Sequence, residues 1–528
     1  MPGKLAATIA RRLQAEVGLL AKEHGGRLRV CLVYPNTYFV GMSSLGFQAI
    51  YHLFNAHPRV LCERAFLPDP DDLAELKRTG DPLVSHESLT PLDAFDVIAF
   101  SVAYELDYLH LARILRLARV PALRQERGPR HPLVMAGGAA VSLNPEPLAD
   151  LVDLFVLGEA EPVATALLDA LADPSLGRAE RIEAAARLPG VYVPRSRGFS
   201  GPVVRQHLED LDQAPTYSRL LTPETEFGDL FLVEVSRGCG RACRFCATPQ
   251  CFWPPRWRRA ERILEAARIG LAYRSAVGLV GAAVSDHPEV DAIAKGVVGL
   301  GARLSVSSLR ADSVTPALVE ALAAGGARSL TIAPETGTEA LRETIGKPIG
   351  DDQVIASLRL AAAAGMREAK LYFMVGLPGE IESDVTAIPA LVGRCLREAG
   401  LARVTVAAGG FVPKPLTPYE RERMLPTAEL ARRLRQVREA LRRERHVVLA
   451  LESANWSHVE GVLSRGDRRL GPALVRAEQL GGNLAAWRRA LAEAGLEAAE
   501  FIRGRAPDEP LPWDFIRGKR SRFEGAKR

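Results

Sequence analysis

The stretch Val235-Ser236-Arg237-Gly238-Cys239-Gly240-Arg241-Ala242-Cys243-Arg244-Phe245-Cys246 limits this chain more than any other. Three cysteines spaced C-x3-C-x2-C follow directly on Leu230-Phe231-Leu232-Val233-Glu234-Val235, an apolar run that predicts a buried strand. Three thiolates on one tight loop can converge on a single soft metal centre, and iron–sulfur clusters are held by such cysteine sets. On a four-iron cube, three ligands leave one iron open to a small molecule. A structural zinc site more often takes four ligands from C-x2-C pairs. Cys251 is the one nearby fourth thiol, and no second C-x2-C or H-x3-H pair follows. Inert buried thiols are the remaining alternative.

A chain of 528 residues predicts several domains. Its 47% hydrophobic and 25% charged residues suit an ordinary globular protein with ample core. Lys+Arg 68 against Asp+Glu 63 gives +5, too small a surplus to imply a nucleic-acid partner. Cys31, Cys62, Cys239, Cys243, Cys246, Cys251 and Cys395 are odd in number and mostly scattered. That argues against a disulfide framework and for a reducing cytoplasm. Met1 to Gly26 mixes charge with Leu and Val as an amphipathic helix does, and lacks the apolar core of a signal peptide. No uncharged apolar run is long enough to span a bilayer, so no membrane is expected.

Two α/β regions are expected. Strands are predicted at Arg29–Tyr34, Asp96–Ser101, Pro132–Gly138 and Leu154–Glu159. Helices are predicted from Gly41 to about Phe54, Leu109 to Ala118 and Pro162 to Leu171. This alternation predicts a Rossmann-like doubly wound parallel sheet, within a first domain of residues 1–195. A linker with a short hairpin near Gly190–Val193 leads on through 196–228. Over 229–420, six strands are expected: Phe231–Val235, Val277–Gly281, Leu304–Ser307, Leu330–Ala333, Lys370–Gly376 and Arg403–Ala407. With their helices they make an open, partial (β/α)6 barrel, whose site lies at the carboxyl ends of the strands. Residues 421–528 are expected to form a mostly helical C-terminal region ending in the basic run Arg517–Arg522, read as a solvated tail.

The cysteine spacing, with aromatic Phe245 before the last cysteine, resembles the signature of the radical S-adenosylmethionine (radical SAM) family. Downstream strand ends resemble it too: Gly281-Ala282, Ser307 with Arg310, Ala333-Pro334-Glu335, and Gly376-Leu377-Pro378-Gly379-Glu380. The resemblance implies a [4Fe-4S] cluster on Cys239, Cys243 and Cys246. It implies S-adenosylmethionine beside Phe245, Gly281, Ala282, Ser307, Arg310, Glu335, Gly376, Pro378 and Glu380. Arg310 suits a carboxylate partner, and an ion pair within the barrel rim is the equal alternative.

The first region resembles the cobalamin-binding domain found ahead of many radical SAM cores. The matching residues are Tyr34-Pro35-Asn36, Gly41-Met42-Ser43, Ser101, Glu105–Tyr108, Gly137-Gly138, Asn144–Pro147 and Gly158–Glu161. The resemblance implies cobalamin near Asn36, Gly41, Ser43, Ser101, Gly137, Gly138 and Gly158. The D-x-H-x-x-G motif that supplies a cobalt ligand elsewhere is absent, and His110 reads as a helix-face residue. The implied activity is reductive cleavage of S-adenosylmethionine to a 5′-deoxyadenosyl radical, with cobalamin-dependent methylation of an unactivated carbon. A low-potential donor of flavodoxin or ferredoxin type is implied as partner. The catalytic residues and the substrate are left open. The alternatives are cobalamin-independent radical SAM oxidation, rearrangement or RNA modification, or a non-catalytic Fe-S redox or RNA-binding protein.

Overall fold

The computed structural model describes residues 3–20, 22–194 and 201–518. The first sheet has six strands: β1 (Leu28–Tyr34), β2 (Val60–Phe66), β3 (Val97–Ser101), β4 (Leu133–Gly137), β5 (Leu154–Val156) and β6 (Val191–Tyr192). They lie in the order β2-β1-β3-β4-β5-β6, all parallel except β6. The chain winds one way from β1 and the other way from β3, so the switch point opens at the carboxyl ends of these two strands. Alternation in β1 feeds two cores. Cys31 and Val33 enter one, and Val30, Leu32 and Tyr34 the other.

The pattern along the sequence does not show β2, because Glu63 and Arg64 stand in its middle. Both are buried with partners brought from elsewhere. Glu63 Oε2 accepts from the Ser85 and Ser88 hydroxyls at 2.6 Å. The fully buried Arg64 guanidinium donates to Glu16 at 2.7 and 2.9 Å and to Glu87 at 2.6 Å. A charged group is tolerated inside when its hydrogen-bonding capacity is met. Val191–Tyr192 forms the sheet edge rather than a hairpin of its own. The expected helix from Gly41 divides into Tyr38–Met42 and Leu45–Ala56, the second capped by Ser44 Oγ accepting the Phe47 N–H at 3.3 Å.

The second set of strands is also parallel. β7 (Leu230–Glu234), β8 (Ala276–Val280) and β9 (Arg303–Val306) form a three-stranded sheet. β10 (Ser329–Glu335), β11 (Glu368–Val375), β12 (Arg403–Gly410) and β13 (Val447–Leu451) form a four-stranded one. Leu309, just past β9, bridges Ile332 of β10 and makes one row of the two sheets. β13 is an addition to the expected six. It is short, follows the charged run Arg442–His446, and gains its backbone partners from β12. Phe231, Val277, Leu304, Ile332, Leu371 and Val406 face a common core with the helices, and helix Thr427–Leu441 joins it through Leu430 and Leu434. Period-two alternation then turns Glu234, Val280, Glu335 and Tyr372 to the other face.

Beyond Ala454 the chain returns to the first sheet. Val462, Leu463, Leu470, Leu474 and Trp487 share a core with Phe100, Leu111 and Leu115. Asn144 Nδ2 donates to the Ser464 and Gly466 carbonyls at 3.0 and 2.8 Å. Glu478, with 3% of its side chain exposed, accepts from Arg116 at 2.7 Å and from Arg113 at 3.4 Å. The basic run begins at Arg517 in a short strand, and Lys519–Arg522 lies outside the described residues.

Two predictions follow from this packing. Glu478→Ala leaves two arginines without their carboxylate and is expected to cost about 2 kcal/mol, discounted for the exposure of Arg116. The shift of the urea-unfolding midpoint measures it. His52, His86, His287 and His458 are all held below the ordinary histidine value, with burial the main cause, and His52 falls to about 4. The unfolded chain takes up these protons first, so stability should fall as pH drops below the ordinary value of 6.5. A midpoint that stays flat from pH 8 to 5 would refute this.

Candidate active site

The cysteine loop leaves the carboxyl end of β7 under tight constraint. Gly238 has φ +77, and a Cβ there would stand 2.2 Å from the Phe252 carbonyl oxygen. The Arg244 N–H donates to the Ile345 carbonyl at 2.8 Å. Phe245 packs on the small cluster of Leu341, Ile345, Leu377, Phe411 and Tyr419. Arg241 forks onto Asp286 at 2.7 and 2.8 Å and reaches Asp312 at 3.5 Å, tying the loops after β7, β8 and β9 together.

Burial pushes the Cys243 thiol up to about 11, against the pull of Lys347 and Arg310. Cys246 is raised by burial as well, against hydrogen bonds from Thr248. Arg310 Nη1 stands 3.9 Å from Cys243 Sγ. Among the described residues, no three His, Cys, Asp or Glu side chains are gathered as they would be around one ion. In a cubic cluster each thiolate binds a different iron, so the sulfurs stand farther apart than the ligands of a single ion. Three thiols on one loop match the three-cysteine ligation of such a cluster, and Arg310 and Lys347 favour the Cys243 thiolate, the form a ligand must take.

The other expected residues divide. Gly281 sits against the cysteine strand, where a Cβ would be 2.5 Å from Ser236 Oγ, and exposed Ala282 follows it. Glu335 ends β10 at φ +71, a conformation costly for a side-chain-bearing residue, and its carboxylate accepts from Lys347 Nζ at 2.6 Å. Arg310 is the rim ion pair as well as a neighbour of Cys243, since it forks onto Asp312 at 3.0 Å. Ser307 is exposed. Gly376, at φ +92, and partly exposed Pro378 form the turn after β11. Glu380 is turned inward: its carboxylate accepts the Gly376 N–H at 2.9 and 3.0 Å and Arg433 Nη1 at 2.6 Å.

A cavity of about 500 Å³ separates the carboxyl edges of the two sheets. Ser101, Gly137, Gly138 and Gly158 line it from the first sheet, and Gly281 and Ala282 from the second. An inner arm runs between helix Leu45–Ala56 and the sheet, walled by Leu32, Phe47, Phe54 and Met135. Gly138 lies at φ +116, and a Cβ would come 2.4 Å from the Val102 carbonyl oxygen. Asn36, Gly41 and Ser43 are placed away from this wall. Asn36 Nδ2 donates to Asp107 at 2.8 Å, Gly41 makes room for the Phe66 ring, and Ser43 Oγ meets Thr225 Oγ1 at 2.8 Å. His110 is a helix residue whose Nδ1 lies 2.9 Å from the Pro35 carbonyl oxygen.

Thr248, Cys251 and Phe252 line the cavity from the cysteine side, and spacing alone did not single them out for this. Nor did it show the ion pairs along the wall. Arg237 meets Glu234 at 2.8 Å, Glu161 at 2.7 Å and Glu159 at 3.1 Å. Arg256 meets Glu159 at 2.5 Å, and Arg258 meets Glu234 at 2.5 Å. The signal was the run of arginines at 256, 258 and 259 close behind the cysteines.

Residues 46–194 match the family model described as radical SAM proteins, N-terminal, and residues 233–391 match that of the radical SAM superfamily. The chain belongs to the radical SAM superfamily. An uncharacterized protein of Methanocaldococcus jannaschii is 27% identical over 447 residues, covering 84% of this chain and 90% of that protein. An uncharacterized methyltransferase of Pyrococcus horikoshii is 28% identical over 269 residues, covering 48% of this chain and 56% of its own length. Among solved structures, the radical S-adenosylmethionine methyltransferase TsrM from Kitasatospora setae, with cobalamin and a [4Fe-4S] cluster bound, aligns at TM-score 0.50 and 13% identity, covering 89% of this chain and 99% of that one. The cobalamin-dependent S-adenosylmethionine radical enzyme OxsB, with aqua-cobalamin and S-adenosylmethionine bound, aligns at TM-score 0.54 and 14% identity, covering 88% and 70%. At such identities the likeness is one of fold. Among the described residues of this radical SAM enzyme, no helix is long and apolar enough to cross a membrane.

In the radical SAM fold seen here, Arg237 is the cation that three carboxylates share. Arg237→Met leaves Glu161 without this partner and Glu159 and Glu234 with one arginine each. Loss of a buried ionic partner costs about 3 kcal/mol. A urea midpoint unchanged from the parent protein would contradict this account of the wall.

Proposed function

We propose that this radical SAM enzyme is a cobalamin-dependent methyltransferase acting on an unactivated carbon. One observation carries the reading: a single cavity is walled both by the strand ends of the first sheet and by the segment just past the cysteines. Small residues line it at the strand ends and apolar side chains line it beside helix Leu45–Ala56, as a ligand-binding cleft requires. The cobalamin and cluster named for TsrM, and the cobalamin named for OxsB, support the same reading.

Cys239, Cys243 and Cys246 would hold the [4Fe-4S] cluster, and Ser101, Gly137, Gly138 and Gly158 would border the corrin. When bound, these groups supply the electron that cleaves S-adenosylmethionine and the methyl group that is transferred. Arg310 and Lys347 place positive charge beside Cys243, which stabilises its thiolate and can orient a carboxylate. Gly281 and Ala282 allow close backbone approach. A reduced flavodoxin or ferredoxin in the cytoplasm would deliver the electron.

The test is anaerobic reconstitution with iron, sulfide and hydroxocobalamin, followed by desalting and a visible spectrum. A retained corrinoid band beside the cluster absorption is expected, with label passing from methyl-labelled S-adenosylmethionine to product. Ala99, 3% exposed, lines the inner arm. Ala99→Leu should weaken corrinoid retention by roughly tenfold or more through overpacking and leave cysteine-bound iron unchanged. Cluster without corrinoid in the parent protein would sink methyl transfer and leave hydrogen abstraction alone.

A further inference from the structure

Two guanidinium groups in the C-terminal region lack the countercharge their burial calls for. Arg465, fully buried, donates through Nη1 to the Glu422 carbonyl at 2.7 Å and through Nη2 to the Arg503 carbonyl at 3.0 Å. Its Nε has no hydrogen-bond partner, and among the described residues no carboxylate pairs with it. Arg505, with 9% of its side chain exposed, donates through Nη2 to the Arg465 carbonyl at 3.0 Å. Its Nε also has no partner, and the carboxylate paired with it, Glu509, is 3.6 Å away. The nearby acids are taken by outer arginines. Glu509 accepts from both Arg503 nitrogens at 2.8 and 2.9 Å, and Asp467 and Glu500 accept from Arg469 at 2.8 Å. Burial lowers the Arg465 pKa to about 10, with Arg505 and Arg503 adding to the effect, and burial lowers that of Arg505 too.

Arg505 forms part of the wall of a separate pocket of about 360 Å³, together with Arg469 and Arg503 and the carboxylates Asp467, Glu500 and Glu509 that those two outer arginines hold. A buried cation needs a paired anion, and the Arg505 guanidinium has room for one at Nη1, whose nearest carboxylate, Glu509, stands 3.6 Å away, beyond hydrogen-bond distance. We propose that this pocket binds a small phosphate-type oxyanion through Arg505, with Arg503 and Arg469 at its rim and Arg465 adding charge from behind. Residues 500–512 build most of the pocket and Asp467 and Arg469 complete it, and none of its lining residues belongs to the cavity between the sheets. The Arg505 N–H also donates to the Arg421 carbonyl at 2.9 Å, two residues beyond the Tyr419 that packs with Phe245, so an occupant would fasten the tail behind the cysteine loop.

Calorimetric titration of the full chain with inorganic phosphate, against sodium chloride at matched ionic strength, tests the proposal. Glycerol phosphate in a parallel titration separates a free ion from a phosphate ester: the tighter ligand names the source. Saturable phosphate binding is expected. Arg505→Gln should weaken it by roughly tenfold or more, and Glu509→Gln, which removes a competing carboxylate, should tighten it. If Arg505→Gln does not fold, the opposite-signed Glu509→Gln variant still decides. Heat no greater than the chloride control, or equal affinity in all three proteins, overturns the proposal. None of these readouts depends on the cluster or on cobalamin.

Discussion

Glu159 is the point on which the two halves of the molecule depend. It stands one residue past Gly158 at the carboxyl edge of the first sheet, with 2% of its side chain exposed. Arg237 and Arg256, which come from the strand segments around the cysteine loop, both reach it, and the Leu208 N–H donates to it at 2.9 Å. Burial alone would raise its pKa; the arginines and the backbone N–H outweigh that and hold it below the ordinary carboxylate value. A carboxylate so enclosed is destabilised when either arginine is lost. The domain contact and the cavity wall therefore share the same ion pairs.

That coupling explains why the cavity can be apolar inside and still lie between two charged edges. The charge is spent within the wall, arginine against glutamate, and little of it faces the space. What faces the space is glycine, alanine and the apolar side of helix Leu45–Ala56. Small residues at strand ends let neighbouring strand ends within each sheet lie close together. Gly138 is required because the Val102 carbonyl fills the place of its side chain, and Gly281 because Ser236 does. The returning C-terminal helices hold the first domain from outside: Glu478 accepts from Arg113 and Arg116 on helix Asp107–Leu117, and Asn144 donates to the Ser464 and Gly466 carbonyls.

How much of this the sequence shows depends on the distance between partners. Parallel strands buried on both faces read well, since a run such as Arg29–Tyr34 carries its signal locally. β2 did not read, because Glu63 and Arg64 are satisfied by Ser85, Glu87 and Glu16, none of which a local window pairs with them. β13 did not read because five residues after a charged run carry no periodicity of their own. Around the site, residues defined by spacing stand where strand-end logic puts them: Cys239, Cys243 and Cys246 on one loop, Gly137 and Gly158 on one cavity. Asn36, Gly41 and Ser43 belong to the same strand-end pattern, yet their partners are Asp107, Phe66 and Thr225, and the pattern could not distinguish a ligand-facing end from one packed against its own domain.

The turn Gly376-Leu377-Pro378-Gly379-Glu380 carries the same lesson to finer scale. Its glycines adopt φ +92 and φ +82, which other residues resist. Glu380 closes the turn from inside, holding the Gly376 N–H with both carboxylate oxygens while Arg433 offsets its charge. Burial raises its pKa, and these three contacts oppose that rise without cancelling it. Gly376, Gly379 and Glu380 thus each have a mechanical reason to be present. The Glu380 carboxylate and the Gly376 N–H are taken up by each other inside the turn. A motif of this kind marks where a cofactor can approach because it fixes a backbone, and its most polar residue is the one least free to touch what binds.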